Sequence, residues 1–294
     1  MRLLSIDYSS MKRVLLFYLF TFLLSVSHSQ TPTTSGKSFS IGVVEEIQSA
    51  ELKEKRILNI YLPEGYNPAD TTRYSIVYLL DGSADEDFIH VAGLYQFNGF
   101  SWINRTPNTI VVGIANVDRK RDFTYPTTIA EDKQRFPTTG GSANFISFLE
   151  KELQPFIEKK FRTNGSKTLI GQSLGGLLAA EVLLKKPTLF TNYIIISPSL
   201  WWDDGSLLKQ ESALLKKEFT QPTGIYIGVG KEGLAPCKIP HVMEVDANLL
   251  AEKIRSAKSK QVTVYFDYLP LEDHATITHQ AVFNAIRFLN PVVR

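Results

Sequence analysis

Lys167-Thr-Leu-Ile-Gly-Gln-Ser-Leu-Gly-Gly-Leu-Leu-Ala-Ala180 decides how this chain is read. Its first part, Thr168 to Ile170, is a short apolar strand. It turns through Gly171-Gln172-Ser173-Leu174-Gly175 and continues as an apolar helical run to Leu184. The pattern is Gly-x-Ser-x-Gly set between a strand and a helix. A serine at the tip of a sharp turn needs small neighbours on both sides, and Gly171 and Gly175 let strand and helix pass closely. The helix N-terminus then points at the serine, where unpaired N–H groups can meet negative charge. The alternative is a glycine-rich turn that merely holds a serine, and the flanking strand and helix argue against it.

Other buried strands lie on either side. Tyr74 to Leu80 is a nearly continuous apolar run ending at Asp81-Gly82-Ser83. Thr109 to Ala115, Tyr193 to Ile196, Ile225 to Val229 and Val262 to Phe266 read the same way, as strands covered on both faces. Helical spacing predicts helices at Asp87 to Phe97, from Ser142 as N-cap to Phe161 with a kink at Pro155, Ser206 to Phe219, Val245 to Ala257, and Thr278 to Leu289. Upstream, Phe39 to Ile47 and Arg56 to Leu62 read as an antiparallel pair. Strands alternating with helices predict an α/β fold, with a mostly parallel central sheet and helices on both faces.

The N-terminus reads differently. Lys12-Arg13 precede an apolar run from Val14 to Val26, followed by Ser27-His28-Ser29. This predicts a secretory signal peptide over residues 1–29, cleaved before Gln30, in which the run is too short to span a membrane comfortably. Met11 is an alternative start. Residues 30–38 are a polar leader, and residues 39–294 are expected to form one domain. Loss of Arg2, Lys12, Arg13 and Asp7 turns 32 basic and 30 acidic side chains into 29 and 29. A nearly neutral chain implies no nucleic-acid partner. The single cysteine, Cys237, cannot form an internal disulfide and reads as a small packed residue rather than a catalytic thiol.

In open α/β sheets ligands bind beyond the carboxyl ends of the strands. Ser173, Glu232 and His274 each follow a strand, and they occur in the order Ser, acid, His of the α/β-hydrolases. Ser173 is the expected nucleophile, which needs a base within hydrogen-bond reach. Of five histidines, His274 alone sits in the loop straight after the final strand. Glu232, in a glycine-bounded turn, is the expected acid, with Asp246, Glu244 and Asp203 as rivals. An oxyanion hole needs two backbone donors: Leu174, and either Gly82 or Ser83. Asp81 is expected to shape its turn rather than react.

Five stretches carry a resemblance: Val77-Tyr-Leu-Leu-Asp-Gly82, Val112-Gly-Ile-Ala-Asn-Val-Asp-Arg-Lys-Arg-Asp122, Gly171-Gln-Ser-Leu-Gly-Gly176, Ser197-Pro-Ser-Leu-Trp-Trp202 and Glu272-Asp-His274. Together they resemble the putative-esterase family of α/β-hydrolases. That family includes esterase D, enterobactin-type siderophore esterases, feruloyl and acetylxylan esterases, and mycolyltransferases. The resemblance covers about Phe39 to Leu289 and is greatest to the compact, exported siderophore-esterase-like members. It implies hydrolysis of a small-molecule carboxylic ester, either siderophore-type or a carbohydrate-linked acyl ester, with no metal or organic cofactor. His241, Glu244 and Cys237 match no closed metal site. Arg119 and Arg121 are candidates for binding an anionic substrate, or for pairing with Asp118 and Asp122. Trp201 and Trp202 are candidates for a pocket wall, or for core packing. An acyltransferase using the same residues, and a binding protein on an esterase scaffold, are the competing readings.

Overall fold

The computed structural model describes residue 36 and residues 39–291. The expected signal peptide lies outside the described residues, as does the leader apart from Gly36. The chain divides into two units, Met1–Ser40 and Ile41–Arg294, and the second carries the fold.

The strands are β1 (Gly42–Ser49), β2 (Glu54–Tyr61), β3 (Tyr74–Leu79), β4 (Thr109–Ile114), β5 (Thr163–Gln172), β6 (Asn192–Ile196), β7 (Thr223–Gly230) and β8 (Val262–Leu269). The helices are α1 (Phe88–Gly99), α2 (Arg119–Phe123), α3 (Ala130–Arg135), α4 (Ser142–Phe148), α5 (Gln154–Lys160), α6 (Leu174–Lys185), α7 (Met243–Arg255) and α8 (Ile277–Leu289).

The eight strands form one sheet in the order β1-β2-β4-β3-β5-β6-β7-β8. β1 pairs antiparallel with β2, from Gly42 opposite Tyr61 to Ser49 opposite Glu54, and β2 pairs antiparallel with β4. From β4 to β8 every pairing is parallel. β4 is buried along its whole length, and β3 and β6 nearly so, because helices cover both faces. α1 and α8 pack on one face with Val77, Ile170, Ile194 and Tyr226. α4 to α7 pack on the other with Tyr78, Leu169, Tyr193 and Ile225. This is the α/β-hydrolase fold.

The topology decides where a site can form. β3 lies between β4 and β5, so the chain leaves β3 to one side and later returns on the other. That reversal opens a crevice beyond the carboxyl ends of β3 and β5.

Three local expectations need correction. Ser206 to Phe219 is not a helix but two short 3₁₀ turns, Ser206–Lys209 and Ala213–Leu215. Ser212 Oγ accepts the Leu214 N–H and starts the second turn, while Leu207 and Leu214 enter the core as separate anchors. Ser142 is the first helical residue rather than the cap; Gly141 precedes it without a side-chain cap. Pro155 does not kink a plain α-helix. A π-helical turn, Leu149–Leu153, joins α4 to α5 just before it. Proline offers no N–H to the preceding turn, and a widened turn accommodates that loss. The polar stretch 116–126 and the loop 127–141 also hold α2 and α3, too short to leave a periodic signal.

Candidate active site

Ser173 sits between β5 and α6 with φ 59° and ψ −119°. A non-glycine residue in that region costs on the order of 1–3 kcal/mol and persists only where its surroundings fix it. Here the Ser173 N–H donates to Ile196 O at 3.0 Å, and its carbonyl accepts from Leu177 at 2.9 Å and Ser199 at 3.0 Å. Strand and helix cross so closely that a Cβ on Gly171 would lie 2.2 Å from the Gly175 carbonyl oxygen. Only glycine allows that approach.

Three side chains from three strand ends are hydrogen-bonded in series. Ser173 Oγ lies 3.0 Å from His274 Nε2. His274 Nδ1 lies 2.5 Å from Glu232 Oε2. The second carboxylate oxygen, Oε1, accepts from Ser197 Oγ and from the Gly230 N–H. The Glu232 side chain is 3% exposed, against 45% for His274. Burial alone would raise the Glu232 pKa, but the hydrogen bonds from His274 and Ser197, the His274 charge and the Gly230 N–H outweigh it. The carboxyl is held below its ordinary value. Glu244 fixes the loop itself, accepting the Glu232 N–H at 2.9 Å and the Gly233 N–H at 3.1 Å on Oε1.

Leu174 is the first residue of α6, so its N–H has no acceptor within the helix. Of the two upstream candidates, Gly82 is excluded as an oxyanion donor: its N–H donates to Ile114 O at 3.0 Å. The sheet draws Gly82 in, since a Cβ there would fall 2.3 Å from Gly113 Cα. Ser83 is left as the upstream candidate. Asp81 has φ 53° and binds Arg119 at both oxygens, Oδ1 to Nε at 2.6 Å and Oδ2 to Nη2 at 2.8 Å. Arg119 Nη2 also donates to Gln172 O at 3.2 Å, beside the nucleophile turn. Burial opposes the guanidinium charge, but the bonds and charge of Asp81 outweigh it and raise the Arg119 pKa.

A cavity of about 480 Å³ opens on this assembly. Ser173, Glu232 and His274 line it, together with the apolar Leu174, Trp201, Phe136, Leu234 and Met243. Arg119 and Lys120 supply cationic lining. Lys120 Nζ sits 4.8 Å from the Phe136 ring centroid, a cation–π contact.

The sequence model of the family described as putative esterase matches residues 49–276. The chain belongs to that family. Its relatives include the ferri-bacillibactin esterase BesA of Bacillus subtilis, 28% identical over 277 residues, with 88% of this chain and 94% of BesA covered. Among solved structures, an IroE-like serine hydrolase from Shewanella oneidensis is 32% identical with a TM-score of 0.74, covering 86% of this chain and 82% of that one. The BES protein from Bacillus cereus is 27% identical with a TM-score of 0.71, covering 87% and 98%. As a putative-esterase family member the chain is a carboxylic ester hydrolase of the serine esterase kind.

Within this esterase the structure brings Ser173, His274, Glu232, Leu174, Arg119 and Trp201 to one cavity. Gly82 and Ser83 are not among its lining residues, and two of the four substrate-binding candidates fall elsewhere. Arg121 does not line the cavity; its Nε holds Asp122 at 2.8 Å and its Nη2 holds Glu54 at 2.6 Å, beside the buried Arg56. Its role is to tie the loop after β4 to β2. Trp202 is buried, its Nε1–H bonded to Tyr125 O at 2.9 Å and its ring against Phe136. That is core packing. The rival acids are engaged elsewhere too: Asp246 with His241, Asp203 with Thr127 and Thr128, and Glu244 with backbone. Sequence reasoning missed Lys120, Phe136, Ser199, Leu234 and Met243. They come from loops that read as irregular, and only their convergence marks them. Lys120, between two arginines already singled out, and Ser199, inside the Ser197–Trp202 stretch, were the ones with a signal.

Proposed function

We propose that this esterase is exported and cleaves those siderophore-type esters that carry an anionic aromatic group on the acyl side, through an acyl-enzyme on Ser173. The series Ser173–His274–Glu232, lining a cavity with both apolar residues and cations, carries this reading. The names of relatives support the substrate class, since BesA is a ferri-bacillibactin esterase and a relative from Emericella nidulans is a siderophore enterobactin esterase. The leader pattern of residues 12–29 supports export.

In this mechanism Ser173 Oγ attacks the ester carbonyl carbon while His274 Nε2 takes its proton. Glu232, ionised and bonded to Nδ1, orients the ring and stabilises the imidazolium. The carbonyl oxygen becomes negative and is met by the Leu174 and Ser83 N–H groups. Collapse expels the alcohol, which receives the proton from His274 Nε2. Water then enters, loses a proton to the same nitrogen and attacks the acyl carbon; release of the acid restores Ser173. Arg119, paired with Asp81, and Lys120, over the Phe136 ring, attract the anionic acyl group, while Trp201 and Phe136 bound its aromatic part. The near-neutral charge of the mature chain places any anion preference in the cavity and not in the whole surface.

The test is hydrolysis of a panel of siderophore, feruloyl, acetyl and short p-nitrophenyl esters by the wild type and by Lys120→Ala. The expected result is a preference for anionic aromatic esters, which Lys120→Ala weakens through KM. Equal turnover of neutral and anionic esters, with no effect of the variant, would refute the substrate class. Export is tested separately, by recovery of a product beginning at Gln30 outside the cytoplasm.

A further inference from the structure

Ser197-Pro198-Ser199, at the carboxyl end of β6, has no part in the steps above. Its two serines are buried and reach opposite ends of the hydrogen-bonded series. Ser197 Oγ donates to Glu232 Oε1, the carboxylate oxygen that does not face His274. Ser199 Oγ lies 3.4 Å from Ser173 Oγ, and the Ser199 N–H donates to the Ser173 carbonyl at 3.0 Å. The turn between them is rigid. Ser197 has φ 41° and donates its N–H to Gly228 O at 2.8 Å. Pro198 packs so tightly on the first turn of α6 that a Cβ on Gly176 would lie 3.0 Å from its Cα. A buried hydroxyl needs a partner, and both hydroxyls at this strained turn find theirs in the series.

We propose that the Ser197-Pro198-Ser199 turn is a positioning element that grips both ends of the Ser173–His274–Glu232 series. Ser197 holds the carboxylate in the orientation that serves His274, and Ser199 holds the Ser173 hydroxyl towards Nε2. Both act through the residues they touch, and the role rests on the serine-esterase reading of the site. Neighbouring charges do not substitute for them. Asp273, next to His274, accepts the Ala275 and Thr276 N–H groups; Glu244 accepts the Glu232 and Gly233 N–H groups; Arg119 is bound to Asp81. Besides Ser197, the donor to Glu232 Oε1 among the described residues is the Gly230 N–H.

The experiment compares wild type, Ser197→Ala, Ser197→Cys and Ser199→Ala by the pH profile of kcat/KM on a soluble ester and by NMR titration of the His274 ring. Hydrogen bonds to charged groups are the stronger kind, so Ser197→Ala should lower kcat by about tenfold or more with KM little changed. It should also shift the His274 titration and the acid limb upward in pH. A carboxylate relieved of one donor attracts the imidazolium more strongly. Ser199→Ala should lower kcat and leave the acid limb in place, because it does not touch the carboxylate. Ser197→Cys, close in volume with a weaker donor, should fall between. A folded Ser197→Ala with wild-type kcat and an unmoved His274 titration overturns the proposal. If that variant does not fold, the same result in Ser197→Cys overturns it. A wild type that cleaves no ester would refute the esterase mechanism, and the His274 titration would still decide whether Ser197 acts on the carboxylate.

Discussion

Two histidines among the described residues are hydrogen-bonded to carboxylates, and their surroundings differ. His274 Nδ1 lies 2.5 Å from Glu232, and its other nitrogen lies 3.0 Å from the Ser173 hydroxyl. His241 Nδ1 lies 2.8 Å from Asp246, but its other nitrogen faces a second carboxylate, Asp204, at 3.3 Å. The first ring has one nitrogen free to move a proton; the second has both engaged with anions. The side chains differ in access as well, 45% exposed for His274 and 15% for His241. The acids diverge in turn. Donors from Ser197 and Gly230 help hold Glu232 below its ordinary value, whereas burial raises Asp246 despite the opposing influence of His241. A His–carboxylate contact alone therefore identifies no catalytic site. What matters is the group at the far nitrogen and how many donors hold the acid ionised.

The largest test of this contrast is Ser173→Ala, which should cut kcat/KM by about 10⁴-fold or more. Retained activity in a purified sample would break the assignment. Glu232→Gln should cost about 10²–10⁴-fold in kcat while leaving the melting temperature close to wild type. An unchanged rate would move the acid role elsewhere. His241→Asn should behave in the reverse way: activity within about twofold, but stability lower by about 1–3 kcal/mol because a buried Asp246 loses its partner. Urea unfolding and turnover on the same sample separate the two outcomes.

The smallest effect concerns a third pair, His90 Nε2 and Asp87 Oδ1, 3.9 Å apart. Burial, together with Asp81 and Glu86, pushes the Asp87 pKa up to about 6, while Arg119 pulls it down. His90 is lowered by burial and by His279. Both shifts disfavour the charged forms, and at 3.9 Å the pair is a weak one. The native Asp87 pKa lies above its unfolded value of about 3.9, so the native state binds the extra proton and stability falls as pH rises from about 4 to 6. Asp87→Asn should remove that loss. With the side chain 28% exposed, solvent screening reduces the gain to about 1 kcal/mol. Melting curves should show it at pH 7.5 and not near pH 4. A variant destabilised at pH 7.5 would mean that Asp87 works as an anion.

Much of this was legible because it is local. Gly171 and Gly175 flank Ser173 for steric reasons that hold wherever a strand turns sharply into a helix. The runs Ile76 to Leu79 and Tyr193 to Ile196 are apolar because both their faces are covered. His274 could be selected because it alone among the histidines sits in the loop straight after the last strand. The segment from Ser206 misled for the opposite reason: its leucines keep helical spacing, but Leu207 and Leu214 enter the core from two separate turns and Ser212 competes for the backbone. Arg119, Lys120 and Arg121 show the limit most directly. Three adjacent cations have three separate fates, with Arg119 bound to Asp81, Lys120 over Phe136 and Arg121 bound to Glu54 and Asp122.

The sequence by itself determined the nucleophile turn, the alternation of strands and helices, and the order of serine, acid and histidine, since each depends on backbone sterics or on periodic burial along the chain. Tertiary structure alone decided that the Gly82 N–H is spent on Ile114, which tryptophan lines the cavity, and which histidine sets a nitrogen against the serine. Those outcomes depend on partners that are far apart in the chain, such as Gly82 and Ile114 or Ser197 and Glu232, and the distance between them exists only once the sheet has formed.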